Sequence, residues 1–315
     1  MSVQQKTLKI EEDLAGQRID RAVSQLCQLS RDKINGLFDH SCVRRNGTVC
    51  MEPWERLRLG DVVALNYEPA QRYHTKKKPP KNIGFEIVHE DDSLIVVNKP
   101  PALLTVPTTY GETNTLINKI SAYLSLAGPR REAFVAHRLD RGVSGLLVFG
   151  KTLEISMKLR EQFELRKPQR EYVAIVRGEL TSEEGTFRTH LATGDNLTRY
   201  STEEGEGTQL AITHYRVIES LDDATVVQIW LETGRRNQIR VHFAETNHPV
   251  LGDPRYQPEL AVHSRWTTKR IALHARSLGF EHPVLKDMYR FETELPPAFV
   301  DFLTQARKAG KKRRN

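Results

Sequence analysis

His137-Arg138-Leu139-Asp140-Arg141-Gly142-Val143-Ser144-Gly145-Leu146-Leu147 is the stretch on which the reading of this chain turns. Within a few residues it passes from a cluster of ionisable groups into an apolar run, residues 146–149, that reads as a buried strand. Asp140 therefore stands at the edge of a core. A carboxylate held there is rigid and partly withdrawn from water, which is costly unless a cation pairs with it, and such an arrangement often marks a site. The competing reading has Asp140 tie down a loop through Arg138 or Arg141, and spacing alone leaves the two even.

Upstream, residues 85–89 and 93–98 are β-rich runs separated by an acidic turn, and Lys99-Pro100-Pro101 ends the second. Residues 113–124 and 152–163 read as helices, the latter capped by Thr152, and residues 171–176 and 225–231 as strands. Strands and helices mix without regular βαβ alternation, so an α+β domain is expected from residue 83 onward. A second ionisable cluster, Thr233-Gly234-Arg235-Arg236-Asn237-Gln238-Ile239-Arg240-Val241-His242, follows a strand and opens a helix whose free amides favour anions. An arginine-rich helix start is also an ordinary surface feature.

The N-terminal part is organised differently. Ile19, Ala22, Val23 and Leu26 fall at helical spacing, Ser30 caps a second helix carrying Ile34, Leu37 and Phe38 inward, and Asn46-Gly47 marks a hairpin turn within residues 43–49. Residues 61–65 read as a further strand. Residues 67–82, with Lys76, Lys77 and Lys78 before Pro79 and Pro80, lack the composition of a core and read as a linker. Lys308 through Arg314 is expected to be a disordered basic tail.

The chain has 315 residues and a net charge of +7, which suits a polyanionic partner, although many basic proteins have none. No stretch has the apolar length of a membrane span, and nothing in the polar start directs the chain out of the cytoplasm. Cys27, Cys42 and Cys50 lack the paired short gaps of a zinc site and are expected to be buried free thiols, with no metal.

Two resemblances join these readings. GQRIDRAV, LSRDKINGLF, VRRNG and LRLGDVV, within residues 16–66, resemble the alpha-L RNA-binding module first described in a ribosomal small-subunit protein. The resemblance implies that Arg18, Arg21, Arg31, Lys33, Arg44 and Arg45 face a phosphate backbone, although those charges also suit a merely solvated helix face. HRLD with SGLL, TGRRNQIRVH, NKPPALLTVP at residues 98–107 and LGDPRY at residues 251–256 resemble the RluA-type pseudouridine synthases over residues 83–300. The second resemblance implies a mixed, mainly antiparallel sheet, with Asp140 as catalytic aspartate, Tyr172 as active-site tyrosine and Arg240 as the partner of that aspartate. It further implies that Arg138 fills the gap left by an extruded nucleotide and that Leu273 packs beside the base, where an ordinary core leucine would also fit.

The chain departs from that family at Gly142 and Val143, where relatives commonly carry an acidic residue and threonine. It departs again at Arg236 and Asn237, where they carry threonine and histidine. The expected organisation is then an RNA-binding domain over 1–66, a linker over 67–82, a catalytic domain over 83–306 and a tail over 307–315. No cofactor is expected, because the reaction involves no net redox change. The expected partner is RNA, most readily ribosomal given the N-terminal module, with the protein a cytoplasmic monomer. Rival readings are an assembly factor that binds RNA without catalysis and a synthase acting on transfer RNA.

Overall fold

The 3–4 spacing of Ile19, Ala22 and Val23 and of Ile34, Leu37 and Phe38 does what an amphipathic helix requires, since all six side chains are buried in one cluster with Val43, Val63 and Leu65. The computed structural model describes residues 4–50, 52–69, 73, 83–127 and 131–314. They divide into two units, Met1–Lys81 with Ala122–Arg131, and Asn82–Ser121 with Glu132–Asn315. Of residues 67–82, expected to be a linker without core composition, 70–72 and 74–82 lie outside the described residues, whereas Tyr67 and Tyr73 are buried in the N-terminal cluster, so the core of this unit reaches past residue 66.

The first unit contains β1 (Gln4–Lys9), α1 (Ile19–Cys27), α2 (Arg31–Asp39), β2 (Val43–Arg45), β3 (Thr48–Val49) and β4 (Val62–Tyr67), with an antiparallel sheet ordered β1-β4-β2-β3. Asn46 and Gly47 both take positive φ, 50° and 85°, as a tight hairpin turn needs. Ser30 occupies the N-cap position of α2, but its hydroxyl makes no capping bond. No apolar pattern signals β1, a mostly exposed polar edge strand. It is held by its ladder with β4, from Gln4↔Tyr67 to Lys9↔Val62, rather than by an apolar face. The three cysteines are free thiols; Cys50 is buried as expected, while Cys27 and Cys42 are half-buried at the margin of the cluster.

The second unit runs through β5 (Glu86–Glu90), β6 (Leu94–Lys99), α3 (Leu116–Leu124), β7 (Phe134–Val135), β8 (Ser144–Gly150), α4 (Leu153–Glu164), β9 (Gln169–Arg177) and β10 (Glu184–Thr193). It continues with β11 (Arg199–Thr202), β12 (Gln209–Ser220), β13 (Ala224–Leu231), α5 (Gln238–Glu245), β14 (Leu273–Glu281), β15 (Met288–Glu292) and α6 (Pro297–Arg314). Among the described residues these strands form one eleven-stranded sheet, ordered β11-β10-β12-β13-β9-β14-β8-β6-β5, with β15 on β14 and β7 on β8. Every pairing is antiparallel except that of β14 with β8. This is the mixed, mainly antiparallel α+β domain that the resemblance implied.

The parallel pair explains the glycine in SGLL. Gly145 has φ +121°, and a Cβ there would collide with the Ala275 carbonyl oxygen, so any side chain would force β8 and β14 apart. All seven residues of β8 are buried, and α4 packs Ile155 and Leu159 against Leu146 and Val148. Thr152 caps α4 as expected, its hydroxyl accepting from the Ile155 amide at 3.3 Å. The expected disordered tail is instead the end of a helix, since α6 continues to Arg314. Phe299, Phe302, Leu303 and Ala306 bury its first turns, and lysine and arginine are good enough helix formers to propagate it. Among the described residues no helix is long and apolar enough to cross a membrane.

Candidate active site

Asp140 lies on the loop that leads into β8, and the NKPPALLT segment braces that loop. Thr105 Oγ donates to the Leu139 carbonyl at 2.7 Å and accepts from the Leu139 amide at 3.2 Å, while the Gly142 amide donates to the Pro101 carbonyl at 2.6 Å. Lys99 is wholly buried beneath this brace, donating to the carbonyls of Pro100 at 3.0 Å and Leu103 at 2.7 Å. Burial pushes its ammonium down to about 7, against the pull of the Asp140 charge and with the help of Arg270.

The second cluster meets the first at one oxygen. Arg240 Nη1 donates to Asp140 Oδ2 at 3.1 Å and Asn237 Nδ2 donates to the same atom at 2.5 Å, whereas no described residue donates to Oδ1. Asp140 keeps 21% side-chain exposure, so its carboxylate is shielded but reachable. Arg240 is in turn fixed by Asp253, whose side chain is 0% exposed and which receives Nε at 2.6 Å and Nη2 at 2.8 Å. Burial alone would lower the proton affinity of this guanidinium, and the carboxylates of Asp253 and Asp140 more than reverse that. Tyr256 closes the group, its ring 5.0 Å beneath the guanidinium and its hydroxyl donating to Asn237 Oδ1 at 3.3 Å.

Helix α5 begins at Gln238, later than the arginine cluster suggested, because Asn237 takes the left-handed conformation with φ 57°. Arg235 and Arg236 thus precede the helix. Gln238 staples this turn, donating to the Ile212 carbonyl at 2.9 Å while its Oε1 accepts from the Thr233 hydroxyl at 2.7 Å and the Arg235 amide at 3.0 Å.

Asp140 opens into a cavity of about 380 Å³, whose lining also includes Arg138, Tyr172, Arg240 and Leu273. The five residues expected at a catalytic pocket are therefore brought together there. Tyr172, on β9, and Leu273, on β14, are buried, and Arg138 is exposed at the rim. Burial raises the Tyr172 phenol, with Arg170 opposing the shift and Asp140 adding to it. His137 stacks on Phe163 at 4.2 Å and accepts from the Val148 amide at 3.2 Å; burial, then Arg170, hold it neutral, down to about 3.

The six basic residues expected to face phosphate lie in the first unit and differ in availability. Arg21, Arg31, Lys33 and Arg44 are exposed. Arg18 pairs with Asp20 at 2.7 Å. Arg45 is committed to structure: its Nε and Nη2 meet Asp61 Oδ2 at 2.9 and 2.6 Å and its Nη1 meets Glu55 at 3.2 Å. Burial alone would raise the Asp61 carboxyl, but the Arg58 amide, Asn46 and Arg45 hold it below its usual range.

Three contributors to the site are not apparent from the sequence alone. Asp253 stood in the LGDPRY string with no role, because its ion pair with Arg240 emerges only once α5 and the following loop are placed. Asn237 was visible only as a departure. Lys99 reads locally as a strand end, although a lysine closing an apolar strand hints at a buried ammonium.

Residues 93–245 match the RNA pseudouridylate synthase family. The chain is 34% identical over 308 residues to ribosomal large subunit pseudouridine synthase D of Zymomonas mobilis subsp. mobilis, covering 94% of this chain and 95% of that protein. It is 31% identical over 318 residues to the protein of the same name from Escherichia coli K12, covering 95% and 93%. The solved structure of human RNA pseudouridylate synthase domain containing 4 shares the fold, with a TM-score of 0.59 over 70% of this chain and 93% of that one at 24% identity. Human RNA pseudouridylate synthase domain containing 1 does so with a TM-score of 0.55 over 70% and 86% at 23% identity. The chain belongs to the RNA pseudouridine synthase family, and it is an isomerase that acts on RNA.

Proposed function

We propose that this enzyme converts uridine to pseudouridine in large-subunit ribosomal RNA, with Asp140 as the catalytic residue. The observation that carries the reading is a lone acceptor oxygen: Asp140 Oδ1 has no donor among the described residues, while Oδ2 is fixed by Arg240 and Asn237 at the edge of a nucleotide-sized cavity. The reaction breaks the bond from N1 to C1′, turns the uracil and joins C5 to C1′; the C5 proton is lost and N1 gains one, so electrons balance without a cofactor. Oδ1 serves either route open to a carboxylate, attack on C1′ or removal of the 2′ proton.

Extruding the uridine costs a few kcal/mol in lost stacking, which a platform and a plug offset. Tyr172 and Leu273 supply the platform, Tyr172 also standing where it can assist removal of the C5 proton, and Arg138 at the rim enters the vacated stack. The exposed Arg21, Arg31, Lys33 and Arg44 contribute phosphate contacts that carry little sequence information. The ribosomal substrate is supported by the relatives' names and by alignment that extends through the N-terminal unit. Purified protein incubated with large-subunit ribosomal RNA, small-subunit ribosomal RNA and transfer RNA should place pseudouridine only in the first. Conversion confined to transfer RNA would overturn the assignment.

A further inference from the structure

Arg170, on β9 two residues before Tyr172, is only 9% exposed, and its Nε has no hydrogen-bond partner. Among the described residues no carboxylate lies within ion-pair distance of it. A buried guanidinium normally has a paired anion, since taking a cation out of water uncompensated is expensive. Arg240, in the same cavity, shows the ordinary solution with two carboxylates.

Three features hold Arg170 where it is. Its guanidinium carbon lies 5.5 Å from the Phe163 ring centroid, a cation–π contact. His137, stacked on that ring, is neutral and so adds no competing cation. Gly234 leaves the space on the other side, because a Cβ there would stand 2.5 Å from Arg170 Nη1. The residue lines the same cavity as Asp140 and Tyr172, whose walls carry seven arginines against two carboxylates. Of those arginines, Arg160, Arg235 and Arg236 already donate to the carbonyls of Val135, Leu210 and Leu197, and Arg240 is committed to its aspartates.

We infer that Arg170 is the seat of a phosphate subsite: it receives one of the two phosphodiesters flanking the target uridine, and Gly234 is the residue that makes room for it. The inference rests on the reading of the Asp140 cavity as the place where the target nucleotide sits. A guanidinium presents paired donors that match phosphate oxygens, and an anion there would complete a charge that the fold leaves unpaired. Fixing the phosphodiester beside the ribose would set the distance between C1′ and Asp140 before any base-specific contact is made.

The test uses the full-length protein and a short RNA carrying a uridine that the wild type converts, with a neutral methylphosphonate replacing the phosphodiester on either the 5′ or the 3′ side. The wild type should lose about tenfold in kcat/KM on one of the two modified RNAs. Arg170→Gln should show about the same loss on unmodified RNA, mainly as raised KM, and no further loss on that modified RNA. Arg170→Lys should recover part of the activity, and Gly234→Ala, which displaces the guanidinium while keeping its charge, should resemble Arg170→Gln. Losses that multiply on both modified RNAs would overturn the inference, as would an Arg170→Gln protein of unchanged melting temperature that works within about twofold of wild type. A wild type that converts no uridine in any RNA would bring down the reading of the cavity and the inference with it.

Discussion

Arginine is used in two opposite ways by the two units. Around Asp140, Arg240 is buried, held by two carboxylates and braced by Tyr256. In the N-terminal unit, Arg21, Arg31, Lys33 and Arg44 stand in solvent. A buried guanidinium costs desolvation and is worth keeping only where its position matters, so it specifies geometry. An exposed one costs little and is screened by salt, so it supplies affinity without register. Arg45 shows that the division follows carboxylate pairing rather than domain: half-buried inside the N-terminal unit, it is locked to Asp61 and Glu55 as Arg240 is to its aspartates.

If that contrast holds, disturbing locked partners should alter stability, and turnover as well where they hold Asp140, whereas disturbing exposed residues should alter only binding. The largest effect is expected from Asp253→Ala, which strips Arg240 of its main partner; denaturant unfolding should reveal a loss of about 3–5 kcal/mol, and residual turnover should fall steeply. Arg45→Gln should cost about 1–3 kcal/mol by the same measurement, because it leaves Asp61 short of donors, while kcat stays near wild type.

Lys99 adds a pH dependence with a definite sign. Its folded value is about 7 against an ordinary 10.5, so between those limits the unfolded chain binds the extra proton and raising the pH favours the folded state. The stability of wild type relative to Lys99→Met should therefore climb from pH 7 towards pH 10, by at most about 1.4 kcal/mol per pH unit; a flat difference would refute the buried ammonium. Asn237→Gly removes a donor to Asp140 while suiting the positive φ, and should lower kcat about tenfold with little change in melting temperature. The smallest effect on the fold belongs to the exposed set. Replacing Arg21, Arg31, Lys33 and Arg44 together by glutamine should shift stability by less than about 0.5 kcal/mol yet flatten the salt dependence of RNA binding, and an unchanged slope would remove those residues from the interface.

What the sequence disclosed follows the same line. Local patterns were readable: α1 and α2 from their apolar spacing, the Asn46-Gly47 turn, the Thr152 cap, and β8 from an unbroken apolar run. The HRLD and QIR strings also pointed to the cavity that holds Asp140, Tyr172, Arg138, Arg240 and Leu273. Interactions that depend on tertiary neighbours were not readable. Nothing local distinguishes Arg45, which is locked, from Arg44, which is exposed, since alternation on a strand sends adjacent residues to opposite faces and only the distant Asp61 decides the outcome. The vacant space at Gly234 and the unpaired Arg170 were hidden for the same reason, and β1 because an edge strand can be held by backbone pairing alone.

The central claim is that one shielded carboxylate oxygen, fixed in place by Arg240 and Asn237, performs the isomerisation. Asp140→Asn keeps the shape and removes the charge, so pseudouridine formation and RNA affinity measured on the same preparation test it most directly. The account predicts a loss of turnover of at least about a thousandfold, roughly 4 kcal/mol at the barrier, with RNA affinity within a few fold of wild type. An Asp140→Asn protein that still converts uridine within about tenfold of the wild-type rate would contradict it.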